Sequence, residues 1–122
     1  MTGLSSAGET AVLTPLTTTA YVSLHTADPG DTGAGEVSGG SYARVGPVTF
    51  TNTGANPTVS SNSAILTYAA ATAAWGTIGY FGVWSALSGG TFRGSGAVTA
   101  PKAVNSGDTA RFAAGALTIT AQ

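Results

Sequence analysis

The sequence predicts an all-β fold: a compact antiparallel β-sandwich or barrel-like roll of about seven to eight short strands over residues 20–122, behind an extended N-terminal arm at residues 1–19. Three observations predict it. Turn signals recur about every ten residues, among them Asp28-Pro29-Gly30-Asp31, Gly39-Gly40, Gly89-Gly90 and Asn105-Ser106-Gly107-Asp108. The segments between them are apolar and Thr-rich, with side chains alternating at a period of two. Alanine, the strongest helix former, gathers only in the stretch Ala69–Ala74, too short to sustain a helix alone.

Residues 1–19 show no sustained periodicity and carry Glu9 as their one charge, which reads as an arm. In Ala20–His25, Val22 and Leu24 share one face while Tyr21, Ser23 and His25 share the other. Thr26–Ser41 holds two glycine clusters with Asp28, Asp31 and Glu36, and reads as a long surface loop. Tyr42–Phe50 follows as a strand interrupted by Gly46-Pro47. A proline there removes a ladder donor, so this strand belongs at a sheet edge or a bulge. Asn52–Asn62 reads as a second polar loop and Ser63–Tyr68 as a strand. Thr77–Ser85 is the richest strand, with Ile78, Tyr80, Gly82 and Trp84 on one face and Phe81 and Val83 on the other. Apolar groups on both faces place it centrally. Gly89-Gly90 turns the chain into Thr91–Ala100, where Gly94, Gly96 and Ala97 are small enough that another element must pack closely. Thr109–Phe112 and Gly115–Ala121 finish the domain, the latter with Leu117 and Ile119 facing inward.

Composition excludes several function classes. Charged residues make up 7% of the chain, against about a quarter in ordinary globular domains, so few groups are available for chemistry. The net charge of −1 provides no basic field for nucleic acid or an anionic membrane. With no cysteine, disulfides, thiolate catalysis and Cys-based zinc sites are excluded. No apolar run reaches the roughly 18 residues of a membrane span, and residues 1–20 lack the basic and apolar regions of a signal peptide. A surface with so few charges is poorly protected against association and is expected to lie against partners.

The ionisable residues that remain match no catalytic pattern. His25, the one histidine, is expected to point outward from a strand end; no serine sits in a nucleophile elbow or ahead of a lysine at the required spacing. Asp28, Asp31 and Glu36 match no EF-hand spacing, so no metal site is expected. Arg44, Arg93, Lys102 and Arg111 are scattered singly. No cofactor fingerprint occurs. Tyr21, Tyr42 and Arg93 are candidates for exposed contacts, and Trp75, beside Gly76, is a candidate stacking platform for a ligand such as a sugar ring.

Three stretches carry a resemblance. They are Tyr21-Val-Ser-Leu-His-Thr-Ala-Asp-Pro-Gly30 with the following Glu36-Val-Ser-Gly-Gly-Ser-Tyr-Ala-Arg44; Ala73-Ala-Trp-Gly-Thr-Ile-Gly-Tyr-Phe-Gly-Val-Trp84; and Asn105-Ser-Gly-Asp-Thr109 with Gly115-Ala-Leu-Thr-Ile-Thr120. Their order and spacing resemble the small, tail-fibre-like virion proteins of tailed bacteriophages, over roughly residues 20–121. The resemblance implies a structural, non-enzymatic virion component at the particle surface, made in the host cytoplasm. A fibre normally has a shaft of repeats or a coiled coil, and this sequence has neither. The leading expectation is therefore a capsid decoration (cement) protein on the outside of the shell. A tail fibre or minor tail protein in host attachment is the alternative, and a carbohydrate- or receptor-binding module the second. The implied partners are other virion proteins, either the major capsid protein or tail proteins, and further copies of the chain in a homo-oligomer such as a trimer. The arm would add a strand to a partner's sheet edge, placing Leu4, Val12, Leu13, Pro15 and Leu16 with Tyr21, Tyr42 and Arg93 among the virion contacts.

Overall fold

The computed structural model describes residues 20–30, 32–53 and 58–121, and over these the chain is all-β, with nine strands and no helix. In chain order they are β1 (Ala20–His25), β2 (Val45–Val48), β3 (Phe50–Thr53), β4 (Thr58–Asn62), β5 (Leu66–Thr67), β6 (Gly76–Trp84), β7 (Phe92–Val104), β8 (Arg111–Phe112) and β9 (Thr118–Ala121). They form three antiparallel sheets, ordered β2-β1-β6-β7, β3-β4-β9 and β5-β8. The arm expected at residues 1–19, with Leu4, Val12, Leu13, Pro15 and Leu16, lies outside the described residues, as does Asp31.

The richest strand is interior, as its two-faced apolar pattern requires: β6 lies between β1 and β7. On the inner face Leu24 stands opposite Phe81 and Val22 opposite Val83, all fully buried. On the outer face Tyr21 pairs with Trp84, Ser23 with Gly82, and His25 with Tyr80. The register against β7 shifts between Ile78 and Tyr80, so strict alternation ends at Gly79 and Ile78 is fully buried as well. Pro47 falls on β2, at the sheet edge, after a cis Gly46–Pro47 bond, and the β1–β2 register is irregular beside it.

The small residues of β7 have the reason the sequence suggests. A Cβ on Gly96 would come within 2.7 Å of the Thr118 carbonyl oxygen and 2.8 Å of Phe81, so β9 can cross here only over a glycine. One core cluster unites the sheets. It includes Phe50, Leu66, Tyr68, Trp75, Phe112 and Leu117, with Ile119 packed at its margin. Tyr68 stacks on Tyr42 at 6.4 Å and meets Trp75 and Phe112 edge-on at 6.5 and 6.1 Å. Its hydroxyl donates to the Val22 carbonyl at 2.9 Å, which satisfies the one polar atom of an otherwise apolar burial.

Three expectations are corrected. The strand expected over Tyr42–Phe50 is split at Thr49 into β2 and the start of β3. The polar loop expected over Asn52–Asn62 contains β4, the central strand of its sheet. β4 hides from a hydropathy reading because its inward positions are polar: Ser60 and Asn62 are both buried. Asn62 is held by three side-chain bonds, donating to the carbonyls of Ala64 and Ala113 and accepting from the Leu117 amide. The strand expected over Ser63–Tyr68 shrinks to two residues. The Ala-rich stretch, too short for a helix, bonds through its backbone to the Asn105–Asp108 turn, Ala71 donating to Asp108 and Gly107 to Ala71.

Candidate functional site

His25, Glu36 and Arg44 meet on the outer face of the four-stranded sheet, where the 26–41 loop folds back over β1 and β6. The loop begins with a turn that the sequence specifies. The Asp28 carboxylate accepts the Gly30 amide at 2.9 Å, and the Pro29 carbonyl accepts the amides of Gly33 and Ala34 at 3.1 Å. Gly33 then lies against Trp84, where its backbone has φ +78° and a Cβ would come within 2.4 Å of the indole. Only glycine meets both demands. The returning chain closes the edge of β1 beyond β2: the Val37 amide donates to the Leu24 carbonyl at 3.0 Å and the Leu24 amide donates to the Tyr42 hydroxyl at 3.0 Å.

A chain of hydrogen bonds runs under this loop. The Trp84 indole N–H donates to Ser23 Oγ at 2.8 Å, and Ser23 Oγ lies 2.7 Å from His25 Nε2. His25 Nδ1 lies 2.8 Å from the Ala34 carbonyl. A carbonyl can only accept, so Nδ1 carries a proton; burial favours the neutral ring, in which Nε2 accepts from the Ser23 hydroxyl. His25 is fully buried, which corrects the outward orientation expected from the sequence. Burial holds its pKa below the ordinary histidine value, against the opposing pull of its Ala34 bond and the Glu36 charge.

Beside it sits an ion pair. Arg44 grips Glu36 with both arms of its fork, Nε to Oε2 and Nη2 to Oε1, each at 2.9 Å. Its remaining Nη1 donates to the carbonyls of Ala86 and Gly89 at 2.9 Å, and its guanidinium lies 3.9 Å above the Trp84 ring. The side chains are 8% and 21% exposed, so this is a largely enclosed pair. Burial by itself raises the Glu36 pKa; the bonds from Arg44 and Tyr42 and the Arg44 charge outweigh it and hold the carboxyl below its ordinary value. Tyr42 donates to Glu36 at 2.8 Å, and burial first of all pushes its own pKa far up.

The arrangement suits a clamp. Ser23 and His25 form a pair at the spacing used for nucleophile activation, yet both are fully buried. His25 is oriented by a carbonyl in place of a carboxylate. Both Glu36 oxygens are engaged by Arg44, and the described residues hold no group of three His, Cys, Asp or Glu side chains able to share a metal ion.

The candidates named from the sequence are dispersed. Trp75, the candidate stacking platform, is 6% exposed; it meets Tyr42 edge-on at 5.4 Å and its indole N–H donates to the Gly40 carbonyl at 3.0 Å. Its rings face the core, so its aromatic surface serves packing. Tyr42 is half-buried with its hydroxyl bridging β1 and Glu36. Tyr21 is half-buried, its ring packed over Gly46, and Arg93 is exposed on β7. The structure joins Tyr42 to Trp75 and leaves Tyr21 and Arg93 on separate strands. Sequence reasoning missed the Glu36–Arg44–Trp84 stack and the Ser23–His25–Trp84 chain, because their members lie up to 61 positions apart. The available signal was the scarcity of charge: in a chain this poor in ionisable groups, a Glu and an Arg flanking a loop are candidates for each other.

A family model described as Podophage GP4 fiber I protein gp80 matches residues 6–120 of the chain. No curated protein matches the sequence.

Proposed function

The chain belongs to the Podophage GP4 fiber I protein gp80 family, and from that premise we propose that it is a non-enzymatic building block of a bacteriophage tail fibre, acting at host attachment. The match over residues 6–120 is the observation that carries this reading. It favours the tail-fibre alternative over the capsid-decoration expectation, and it makes other virion proteins the partners. The clamp described above supports a structural role: His25, Glu36 and Arg44 are engaged in holding the loop to the sheet. A fibre component experiences shear and dilution, and a loop tied down by an enclosed ion pair and a buried hydrogen-bond chain keeps one shape under both.

The test is the position of the protein on intact particles. Immunogold labelling with antibody against this chain is expected to decorate the fibres. Label distributed over the capsid shell overturns the fibre reading and restores a decoration role, and particles that carry no label overturn both.

A further inference from the structure

Far from the clamp, between β7 and β8, the surface carries a cleft of about 150 Å³. Val98, Ala100, Ala113 and Ala116 make apolar walls, and the ring of Phe112, 5% exposed, closes its base. Two of the four basic residues of the chain, Lys102 and Arg111, stand at this cleft. Lys102 is held in place: Nζ donates to the Arg111 carbonyl at 2.9 Å and lies 5.2 Å above the Phe112 ring. Neither Lys102 nor Arg111 has an ion-pair partner among the described residues. Two basic side chains thus line one cleft with no counter-ion among the described residues, in a chain with few charges, and a carboxylate entering it would meet opposite charge.

We propose that this cleft is a docking pocket for an acidic side chain, glutamate or aspartate, presented by a neighbouring virion protein; the identity of that neighbour rests on the virion reading above. Volume, polarity and donor type select the occupant. The cleft is smaller than the roughly 300 Å³ at which pockets for drug-sized ligands begin, so it takes one side chain. Its alanine, valine and phenylalanine walls suit methylene groups, while Lys102 and Arg111 supply N–H donors to a carboxylate at its rim. A sugar acid would meet the same charges. Its ring hydroxyls also need acceptors, and none of the lining side chains provides one.

The test is a titration of the isotope-labelled full chain, followed by amide NMR, with three probes: N-acetyl-glutamate α-amide, its neutral glutamine counterpart and glucuronate. The glutamate probe is expected to give saturable shifts confined to residues 98–102 and 111–116, weakened by added salt, with no saturation by the glutamine probe. Replacing both cations (Lys102→Met with Arg111→Met) is expected to weaken glutamate binding about tenfold. Arg111→Gln alone, which keeps the Lys102 bond to the backbone, is expected to weaken it severalfold with an unchanged denaturation midpoint. Absence of saturable shifts, saturation by glucuronate alone, or undiminished binding in the double variant overturns the proposal. Binding is read on the isolated chain, so its failure leaves the location on the particle untouched, and a capsid location leaves the pocket result untouched.

Discussion

Arg44→Met removes the centre of the clamp, and the structure sets the size of the effect. The substitution keeps most of the aliphatic stem and deletes the guanidinium. It loses the fork on Glu36, two bonds to the Ala86 and Gly89 carbonyls, and the stack on Trp84 at 3.9 Å. Hydrogen bonds to charged groups contribute about 1.5–3 kcal/mol each when enclosed. Glu36 is 21% exposed and can rehydrate, so we take the Glu36 fork as a whole at about 2 kcal/mol. The two carbonyl bonds, partly at the surface, add roughly 1 kcal/mol, and the cation–π contact about 1 kcal/mol. The sum is about 4 kcal/mol, a large fraction of the stability of a small domain and a drop in Tm of roughly 10–20 °C. Urea denaturation of the purified chain, followed by tryptophan fluorescence, measures it. A double-mutant cycle with Glu36→Gln isolates the pair, and the double variant should lose clearly less than the sum of the singles. Arg44→Lys should recover only a minor part, because an ammonium offers no planar fork and cannot reach Glu36 and both carbonyls together. A loss below about 1 kcal/mol for Arg44→Met, or strict additivity with Glu36→Gln, would refute the clamp.

Three further outcomes follow from the same region and its neighbours. Gly33→Ala forces a methyl into Trp84 at a positive φ and should destabilise by about 2–4 kcal/mol, with a red-shifted fluorescence maximum as the indole is displaced; unchanged emission and midpoint would mean that the loop does not rest on the ring. Acid should loosen the fold in two stages. The unfolded chain takes up a proton on His25 below the ordinary histidine value of 6.5 while the folded chain resists it, so stability falls from there downward; the Glu36 contribution is present above the ordinary carboxyl value of 4.5 and is lost as pH falls through its depressed folded value. Measuring Tm from pH 8 down to about pH 2 tests this, and His25→Gln should flatten the upper stage while leaving the lower. Trp75→Phe keeps the aromatic packing but leaves the Gly40 carbonyl without its indole donor, for a loss of about 1–2 kcal/mol in denaturant midpoint; no loss would show that the bond is dispensable.

Much of the fold was legible because turns and alternation are local. Asp28-Pro29-Gly30 carries its own hydrogen bonds, and Asn105 and Asp108 close their turn through both backbone and carboxylate. Thr77–Ser85 announced an interior strand through apolar groups on both faces, and β6 occupies that place. Pro47 announced an edge, since an imide nitrogen cannot donate to a ladder. The small residues of β7 announced a close neighbour, although only the fold identified it as β9. β4 failed the same reading because a strand whose inward positions are Ser60 and Asn62 has no hydropathy signature; its strand character comes from two flanking ladders and from the partners that Asn62 finds in the 113–117 segment.

The sequence by itself determined an antiparallel β chain with few charges, its tight turns and its central strand, all of which depend on residues near one another along the backbone. The tertiary structure alone decided what those few charges do. His25 looks outward on alternation, and it is buried because the 26–41 loop folds over that face of the sheet. Trp75 looks like an open platform beside a glycine, and it is enclosed because Tyr42 and Gly40 return to meet it from 33 and 35 positions away. Glu36, Arg44 and Trp84 are unremarkable residues until three separate segments bring them within hydrogen-bond and stacking distance. Burial and pairing are properties of the enclosing surface, and that surface exists only once the chain has closed on itself.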